Sequence, residues 1–192
     1  MRVIAGEFKG RHLYTDKGMS TRPILDRMKE SLFGMLADTV IEARVLDLFC
    51  GGGTIAIEAL SRGAATAVLV DKSRGARVAA QKNIALLDLG SRVKFIGTDA
   101  ARAVRKLAER GARFDLIFVD PPYFDGLGPP VLAAIREGKI LAEGGMAIVR
   151  HHKKETPQEH AAGWRIERRR QVGEAILTFF ALPEEQTQDT IL

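Results

Sequence analysis

The sequence predicts an α/β fold in which a mostly parallel, twisted sheet carries helices on both faces. Two observations predict it. From Arg44 onward, short apolar runs alternate with segments of helical periodicity, as in repeated strand-helix-strand units. Each of four successive apolar runs also ends at an aspartate: Asp47, Asp71, Asp99 and Asp120. Because the carboxyl ends of parallel strands meet at one edge of a sheet, we expect these four side chains to border one ligand crevice.

The N-terminal part is expected to add a small β-hairpin at residues 2–14 and one helix. Pro23 suits the first turn of that helix, because proline lacks an N–H and its φ is already helical. Apolar residues at helical spacing then form one face: Leu25, Met28, Leu32, Met35 and Leu36.

The central part begins with a strand from Ala43 to Phe49, which leads into a run of glycines. Helical spacing predicts the helices that follow, near residues 54–62, 74–87, 99–110 and 129–137. These helices provide the crossovers that a parallel sheet requires.

An antiparallel hairpin is expected to close the sheet. The segment from Trp164 to Arg170 alternates polar and apolar residues, Gly173 marks a turn, and Ile176 to Leu182 forms the second strand. We place His151 and His152 in a loop, since no carboxylate cluster accompanies them.

Length and composition favour a single domain over residues 1–192, with a hairpin extension at 1–22, a catalytic core at 23–183 and a frayed tail at 184–192. Cys50 is the only cysteine, which excludes an internal disulfide, and nothing in the sequence suggests a metal site. Every apolar run is short and interrupted by charge, so we expect no signal peptide, no membrane span and a cytoplasmic location.

The glycines that follow the first strand favour a cofactor that contains a nucleotide. Gly51 to Ala56 satisfies the permissive dinucleotide fingerprint, so a nicotinamide or flavin enzyme must be considered. Asp47 argues against it, because its carboxylate would repel a pyrophosphate but attract the amino group of S-adenosylmethionine. Asp71 is placed to accept the ribose hydroxyls. Asp99 either meets the adenine amine or caps the next helix.

The segment Asp120-Pro121-Pro122-Tyr123 predicts chemistry on the amino group of a base. The two prolines hold the backbone extended and remove two N–H donors, which leaves carbonyl acceptors beside the Asp120 carboxylate. Acceptors suit an NH₂ group. The ring of Tyr123 offers a face on which a flipped-out base can stack, worth about 1–3 kcal/mol.

A net charge of +5 and a pI near 9.6 favour a polyanionic partner. The basic residues concentrate in two clusters that flank the candidate site in the sequence. The N-terminal cluster comprises Arg2, Lys9, Arg11, Lys17, Arg22, Arg27 and Lys29. The C-terminal cluster comprises Arg150, Lys153, Lys154, Arg165, Arg168, Arg169 and Arg170. Both would meet phosphates irrespective of base identity.

Over essentially its whole length the chain resembles the bacterial 16S ribosomal RNA guanine-N2 methyltransferases of the RsmD type. The resemblance rests on several blocks of sequence: Arg2 to Gly6 with Lys9-Gly10-Arg11, Thr21-Arg22-Pro23 with Asp26-Arg27 and Lys29-Glu30, the loop from Asp47 to Gly53, Glu58 to Ala64, and Asp120 to Tyr123. One departure is Ile24, where the family pattern leads us to expect a hydroxyl residue.

The resemblance implies a Rossmann-like class I methyltransferase fold, S-adenosyl-L-methionine as cofactor, and 16S rRNA or a small-subunit assembly particle as partner of a monomer. It implies cofactor contacts from the following residues: Asp47, Phe49, Gly51, Gly53, Asp71, Lys72, Asp99, Ala100 and Arg22. Catalysis would fall to Asp120, Pro121, Pro122 and Tyr123, and substrate binding to Lys9, Arg11, Arg27 and Tyr123.

Three alternatives remain open at this point. An adenine-N6 or cytosine-N4 methyltransferase would use the same motifs, but it usually needs a target-recognition region for which little sequence is left. A nicotinamide-dependent oxidoreductase is disfavoured by Asp47, and a non-catalytic RNA-binding module by the proline motif.

Overall fold

The computed structural model describes residues 1–15, 26–155 and 163–183. Within these residues the strands are β1 (Arg44–Leu48), β2 (Thr66–Val70), β3 (Val93–Ile96), β4 (Phe114–Val119), β5 (Leu141–His152), β6 (Arg165–Val172) and β7 (Ala175–Ala181). The helices are α1 (Asp26–Leu36), α2 (Thr54–Ser61), α3 (Arg74–Leu86), α4 (Ala100–Glu109) and α5 (Gly128–Glu137), with a 3₁₀ turn at Ala37–Val40.

All seven strands form one sheet in the order β3-β2-β1-β4-β5-β7-β6. The first five strands run parallel, and β7 pairs antiparallel with both β5 and β6. The chain proceeds outward from β1 to β3 and then returns to place β4 on the other side of β1. This reversal creates a crevice at the carboxyl ends of β1 and β4, where open α/β sheets bind ligands.

Helices α1, α2 and α3 cover one face of the sheet, and α4 and α5 cover the other. Alternate side chains of β1 enter opposite cores, as the two-residue period of a strand requires. Val45 packs with the first group of helices, whereas Leu46 and Leu48 pack with the second. Burial on both faces explains why the parallel strands are near-continuous apolar runs.

The predicted α/β fold is confirmed. The bounds of α2, α3, α4 and α5 lie within one residue of the predicted helices, and the C-terminal hairpin turns at Gly173 as expected. Helix α1 is described from Asp26, and it buries Met28, Leu32 and Leu36 of the predicted apolar face. Pro23, Ile24, Leu25 and the tail at 184–192 lie outside the described residues.

The assignment of His151 and His152 to a loop is wrong. Both are buried residues of β5, which continues through them because they pair with Ile176 and Ala175 of β7. The polar ring of His151 is accommodated by Thr178, whose Oγ1 lies 3.0 Å from Nε2. Burial lowers the pKa of His151, which favours the neutral ring.

The expected N-terminal hairpin is reduced to a single antiparallel bridge between Arg2 and His12. The N–H groups of Val3, Gly10 and Leu13 donate to carbonyls within this segment, residues 1–15, whereas other backbone donors of the segment bond to α2. Glu58 is fully buried and accepts the N–H groups of Ile4 at 2.8 Å and Ala5 at 3.0 Å. The donors that bond to α2 are not available to a two-stranded ladder, so the pairing within the segment stays short.

Two cations complete the surroundings of Glu58. Lys29 of α1 donates to Oε2 at 3.2 Å, and Arg62 donates to Oε1 at 2.9 Å. A buried carboxylate is tolerated only when its acceptor capacity is met, and four donors meet it here. The N-terminal segment, α1 and α2 are therefore joined at one buried charged group.

Asn83 of α3 joins the same segment to the glycine loop, residues 51–53. Its Oδ1 accepts from the Tyr14 N–H, and its Nδ2 donates to the carbonyls of Tyr14 and Gly52, all within 2.9 Å. A Cβ on Gly52 would lie 2.6 Å from the Tyr14 carbonyl oxygen. Glycine is thus required at position 52 because the N-terminal segment touches the loop there.

In the ranges described, no helix combines the length and the apolar character needed to cross a membrane.

Candidate active site

The carboxyl ends of the parallel strands open into a cavity of about 720 Å³. This volume is within the range of about 300–1,000 Å³ typical of small-molecule sites. The four aspartates that the sequence singles out all line it: Asp47 in β1, Asp71 after β2, Asp99 after β3 and Asp120 after β4. The topology therefore brings together side chains that are separated by up to 73 positions in the sequence.

The glycine loop turns the chain from β1 into α2. Gly51 and Gly53 have φ values of 54° and 77°, in the left-handed region that favours glycine. The N–H of Gly51 donates to Oδ2 of Asp71 at 2.9 Å, which ties the loop to the end of β2. This hydrogen bond fixes the loop beside Asp71 at the cavity.

Asp47 is a buried carboxylate with one backbone donor. Its side chain is 1% exposed, and its Oδ2 accepts from the N–H of Ala56 in α2 at 3.3 Å. Burial raises the pKa of Asp47 well above its usual range, and the charges of Asp120 and Asp71 raise it further. A cationic ligand beside Asp47 would offset this cost, whereas an anionic one would add to it.

Asp71 and Asp99 both organise local backbone. Oδ1 of Asp71 accepts a hydrogen bond from the N–H of Ser73 at 2.8 Å, while Oδ2 accepts one from the N–H of Gly51. Asp99 caps α4, because its Oδ1 accepts from the N–H of Arg102 at 2.9 Å. The capping interpretation of Asp99 is therefore correct, and the residue lines the cavity as well.

Asp120 forms an ion pair with Arg150, and both residues line the cavity. Arg150 Nε lies 2.5 Å from Asp120 Oδ1, and the two side chains are only 11% and 15% exposed. Burial raises the pKa of Asp120, although the charge and hydrogen bond of Arg150 act in the opposite direction. For Arg150, burial alone would lower the pKa, but Asp120 raises it above its ordinary value. The arginine therefore stays charged and opposes protonation of the carboxylate.

Arg150 also contacts the aromatic residue of the motif. Its guanidinium carbon lies 5.4 Å from the ring centroid of Tyr123, within cation–π distance. The placement of Arg150 among surface residues that meet phosphates is wrong, because strand β5 points it inward at Asp120 and Tyr123. A signal exists in the register: Val119 pairs with Val149, so the residues that follow them are neighbours.

Most of the expected cofactor and catalytic residues border this cavity: Asp47, Phe49, Gly51, Asp71, Lys72, Asp99, Ala100, Asp120, Pro121, Pro122 and Tyr123. Gly53 does not, because its N–H turns to the Cys50 carbonyl and its α-carbon faces Leu69. Arg22 lies outside the described residues.

The three basic residues expected to bind RNA do not line the cavity, unlike Tyr123. Lys9, Arg11 and Arg27 are exposed at the surface, and Arg11 donates to the Leu86 carbonyl at 3.3 Å. Conversely, the cavity includes residues that the sequence did not single out: Met1, Thr15, Phe124, Leu127, Pro130 and Val131. No local motif marks them, since the fold and the N-terminal segment bring them there.

S-adenosylmethionine fits this arrangement. The buried carboxylate of Asp47 suits its amino group, and Asp71 retains lone pairs for ribose hydroxyls beside the glycine loop. Asp99 and Ala100, which are expected to meet the adenine ring, line the same cavity. Among the described residues, no group of three or more His, Cys, Asp and Glu side chains is placed to share a metal ion.

Comparisons with known proteins agree on one family. Residues 1–181 match the family model described as "Conserved hypothetical protein 95". The chain is 39% identical over 153 residues to "Putative rRNA methyltransferase YlbH" of Bacillus subtilis, covering 80% of this chain and 83% of that one. It is 31% identical over 174 residues to "Ribosomal RNA small subunit methyltransferase D" of Escherichia coli, covering 91% and 86%.

The fold has a close counterpart among solved structures. "Putative methyltransferase yhhF" from Escherichia coli superposes with a TM-score of 0.81 at 30% identity, and the match covers 95% of this chain and 97% of that one.

Proposed function

The chain belongs to the same family as ribosomal RNA small subunit methyltransferase D of Escherichia coli, and on that premise we propose that it transfers a methyl group from S-adenosylmethionine to the exocyclic N2 amine of a guanine in 16S rRNA. The observation that carries the proposal is the Asp120–Arg150 pair, which holds a carboxylate acceptor in the same cavity as Asp47 and Asp71.

The cofactor is S-adenosylmethionine, which supplies an activated methyl group when bound. Asp47 holds its amino group, Asp71 its ribose hydroxyls, and Asp99 with Ala100 its adenine. Phe49, Gly51 and Lys72 complete the contacts at the loop and the end of β2. Asp47 also argues against a nicotinamide cofactor, because its carboxylate would repel a pyrophosphate bound at the glycine loop.

Asp120 acts on the acceptor amine. The lone pair of this amine is delocalised into the ring, so it is a poor nucleophile until its N–H groups are held by acceptors. The Asp120 carboxylate and the Pro121 carbonyl serve as these acceptors and favour the pyramidal amine of the transition state. The raised pKa of Asp120 also suits it to receive the proton that the methylated amine releases.

The choice of guanine rests on the resemblance to the guanine-N2 methyltransferases of the RsmD type, because the Asp120-Pro121-Pro122-Tyr123 motif would serve an adenine or cytosine amine equally well. Tyr123 stacks on the flipped-out base, whose extrusion costs only a few kcal/mol.

The basic surface supplies affinity for RNA. Lys9, Arg11 and Arg27 are exposed and can meet phosphates from any sequence. The C-terminal cluster extends to the carboxyl ends of the strands, where the cavity lies. Arg170 of β6 pairs with Leu177 of β7, and Leu177 pairs in turn with Arg150 of β5. Two strand spacings, about 10 Å, therefore separate the Arg170 backbone from that of Arg150.

The substrate is 16S rRNA, free or in a small-subunit assembly particle, and the enzyme acts on it as a monomer in the cytoplasm. The test is transfer of a radiolabelled methyl group to 16S rRNA and to particles, followed by nucleoside analysis. Label in N2-methylguanosine supports the proposal. Label in N6-methyladenosine or N4-methylcytidine would show that adenine or cytosine, and not guanine, is the target. Absence of label in both substrates would refute rRNA methylation.

A further inference from the structure

Phe124 follows the catalytic motif and is one of the most exposed large apolar side chains in the described residues. It is 64% exposed although it lines the cavity. Its ring contacts that of His152, with centroids 5.0 Å apart, and the edge of Tyr123, with centroids 6.4 Å apart. Water therefore reaches one side of an aromatic ring that is supported on the other.

The backbone holds this ring in place. The N–H of Phe124 donates to Oε1 of Glu155 at 2.9 Å, and the N–H of His152 donates to Oε2 at 2.7 Å. Phe124 has a φ of 65°, which is costly for a bulky side chain and persists only where surrounding contacts enforce it. Glu155 thus clamps the loop after β4 to the end of β5 with the phenyl ring facing solvent.

We propose that Phe124, supported from behind by the buried ring of His152, forms a second nucleobase subsite that stacks on a base next to the target nucleotide. The inference rests on the proposed function for the identity of the RNA. It extends that function, because Tyr123 is assigned to the target base and Phe124 to its neighbour.

The spacing of the rings supports two separate bases. The 6.4 Å between the centroids of Tyr123 and Phe124 exceeds the 3.4 Å rise per nucleotide of a duplex strand. Two bases on these rings would therefore be unstacked from each other. When a target base leaves its stack, the neighbouring base loses a partner, and an exposed protein ring beside the cavity can replace it.

Binding of an oligoadenylate of about 12 nucleotides, measured by fluorescence anisotropy over a range of salt concentrations, tests the subsite. Phe124→Ala is expected to raise the Kd about 5- to 150-fold at every salt concentration, with an unchanged slope of log Kd against log salt, because no phosphate contact is lost. Phe124→Trp is expected to bind as the wild type does, and Phe124→Leu to resemble Phe124→Ala.

Tyr14→Ala is the matched control, since Tyr14 is an aromatic residue of similar exposure, 52%, that does not line the cavity. Its Kd is expected to stay at the wild-type value. Wild-type affinity in Phe124→Ala would overturn the proposal. So would wild-type affinity in Phe124→Leu, which would show that apolar bulk and not stacking is required. S-adenosylhomocysteine affinity, expected to be unchanged in all variants, verifies that each is folded.

Glu155 is a positioning residue in this proposal. Glu155→Ala is expected to raise the KM for RNA in the same direction as Phe124→Ala with kcat unchanged, and Glu155→Gln to recover part of the loss through its remaining acceptor. In the double variant Glu155→Ala/Phe124→Ala the two effects should not add, because both act through one ring. Full additivity would show that Glu155 does not act through Phe124.

The outcomes separate the subsite from the reaction. If the wild type methylates 16S rRNA while the Phe124 variants bind oligoadenylate normally, the subsite is refuted and the proposed function stands. If oligoadenylate binding follows the ring at position 124 but no RNA is methylated, the proposed function fails and the subsite stands.

Discussion

Arg150 and Asp120 meet at the adjoining ends of β5 and β4, with Nε 2.5 Å from Oδ1. Each is the residue that follows a buried, parallel-paired run, and the pairing of Val119 with Val149 brings them side by side. The sequence motif identifies Asp120. Its partner Arg150 lies 30 residues later in the chain, where no local motif marks it.

Removal of Arg150 should change how activity depends on pH. The arginine counteracts the rise in the Asp120 pKa, so in Arg150→Ala that pKa should rise further. Because methyl transfer requires the ionised carboxylate, the rising limb of the kcat–pH profile should move to higher pH. Arg150→Lys keeps the positive charge, so its profile should lie between those of the wild type and Arg150→Ala.

Arg44→Ala is the control for that profile. Arg44 pairs with Asp115 at the opposite ends of β1 and β4, away from the cavity. This variant should leave the profile in place, and an unshifted profile in Arg150→Ala would contradict the assigned role.

Asp120→Ala should lower kcat by about 10²–10⁴-fold and leave the affinity for S-adenosylmethionine nearly unchanged, because the residue acts on the acceptor amine. Tyr123→Phe should be tolerated, since stacking needs the ring and not the hydroxyl, whereas Tyr123→Ala should lose activity. Single-turnover methyl transfer measures the first effect and calorimetry the second. Near-normal turnover in Asp120→Ala would refute its role.

Asp71→Ala should weaken S-adenosylmethionine binding by about 1–3 kcal/mol, or roughly 5- to 150-fold in Kd, because ribose hydroxyls lose their acceptor. Gly51→Val should weaken it too, since Gly51 has a left-handed φ of 54°. Calorimetry measures both, with Asp115→Ala as the control for loss of a carboxylate outside the cavity. Tight binding of NAD without binding of S-adenosylmethionine would disprove the cofactor assignment.

Asp47→Asn should stabilise the protein while weakening cofactor binding. The pKa of Asp47 is raised in the folded state, so between the unfolded value near 3.8 and the folded value the native protein binds more protons. The free energy of unfolding therefore falls as pH rises through that interval, and the loss persists at neutral pH. The neutral amide in Asp47→Asn does not ionise, so the variant does not lose this stability.

Thermal unfolding checks this sign. At pH 7 the Tm of Asp47→Asn should exceed that of the wild type, by about 2–4 °C for each kcal/mol regained in a domain of this size. The advantage should vanish on acidification to below pH 3.8, where the carboxyl is protonated in both the folded and the unfolded state. A lower Tm at pH 7 would show that the ionised carboxylate stabilises the fold.

Replacement of Lys9, Arg11 and Arg27 together with alanine should weaken RNA binding at low salt and flatten its salt dependence. Each lost phosphate contact should lower the slope of log affinity against log salt by about 0.9 for a duplex or about 0.7 for a single strand. Cofactor affinity should persist, because none of the three lines the cavity. An unchanged slope would move the phosphate contacts to the segment from Arg165 to Arg170.

The repeating pattern made the fold predictable. Apolar runs and helical spacing locate the parallel strands and their crossovers, and parallel strands place Asp47, Asp71, Asp99 and Asp120 at one edge. What the pattern could not show was how polar residues are buried. His151 belongs to a strand because Thr178 on the neighbouring strand satisfies its ring, and this partner lies 27 residues away.

The site was predictable where one segment carries the chemistry and not where two segments share it. Asp120 and Tyr123 lie in a local motif, whereas Arg150 acquires its role through strand register. Glu58 looks like an ordinary helix residue in the sequence. Its four donors come from the N-terminal segment, α1 and its own helix, so only the assembled fold reveals them.

The attachment of the N-terminal segment has a consequence for the order of events during synthesis. Glu58 follows Ile4 by 54 positions, and Asn83 follows Tyr14 by 69. At about 5–20 residues per second, the ribosome adds these partners roughly 3–14 s after the residues that they hold. Val3 and Leu13, buried in the finished protein, have no core to enter during that interval. Met1 and Thr15, which line the cavity, are therefore synthesised before the rest of the cavity wall but pack against it only after α2 and α3 have been made.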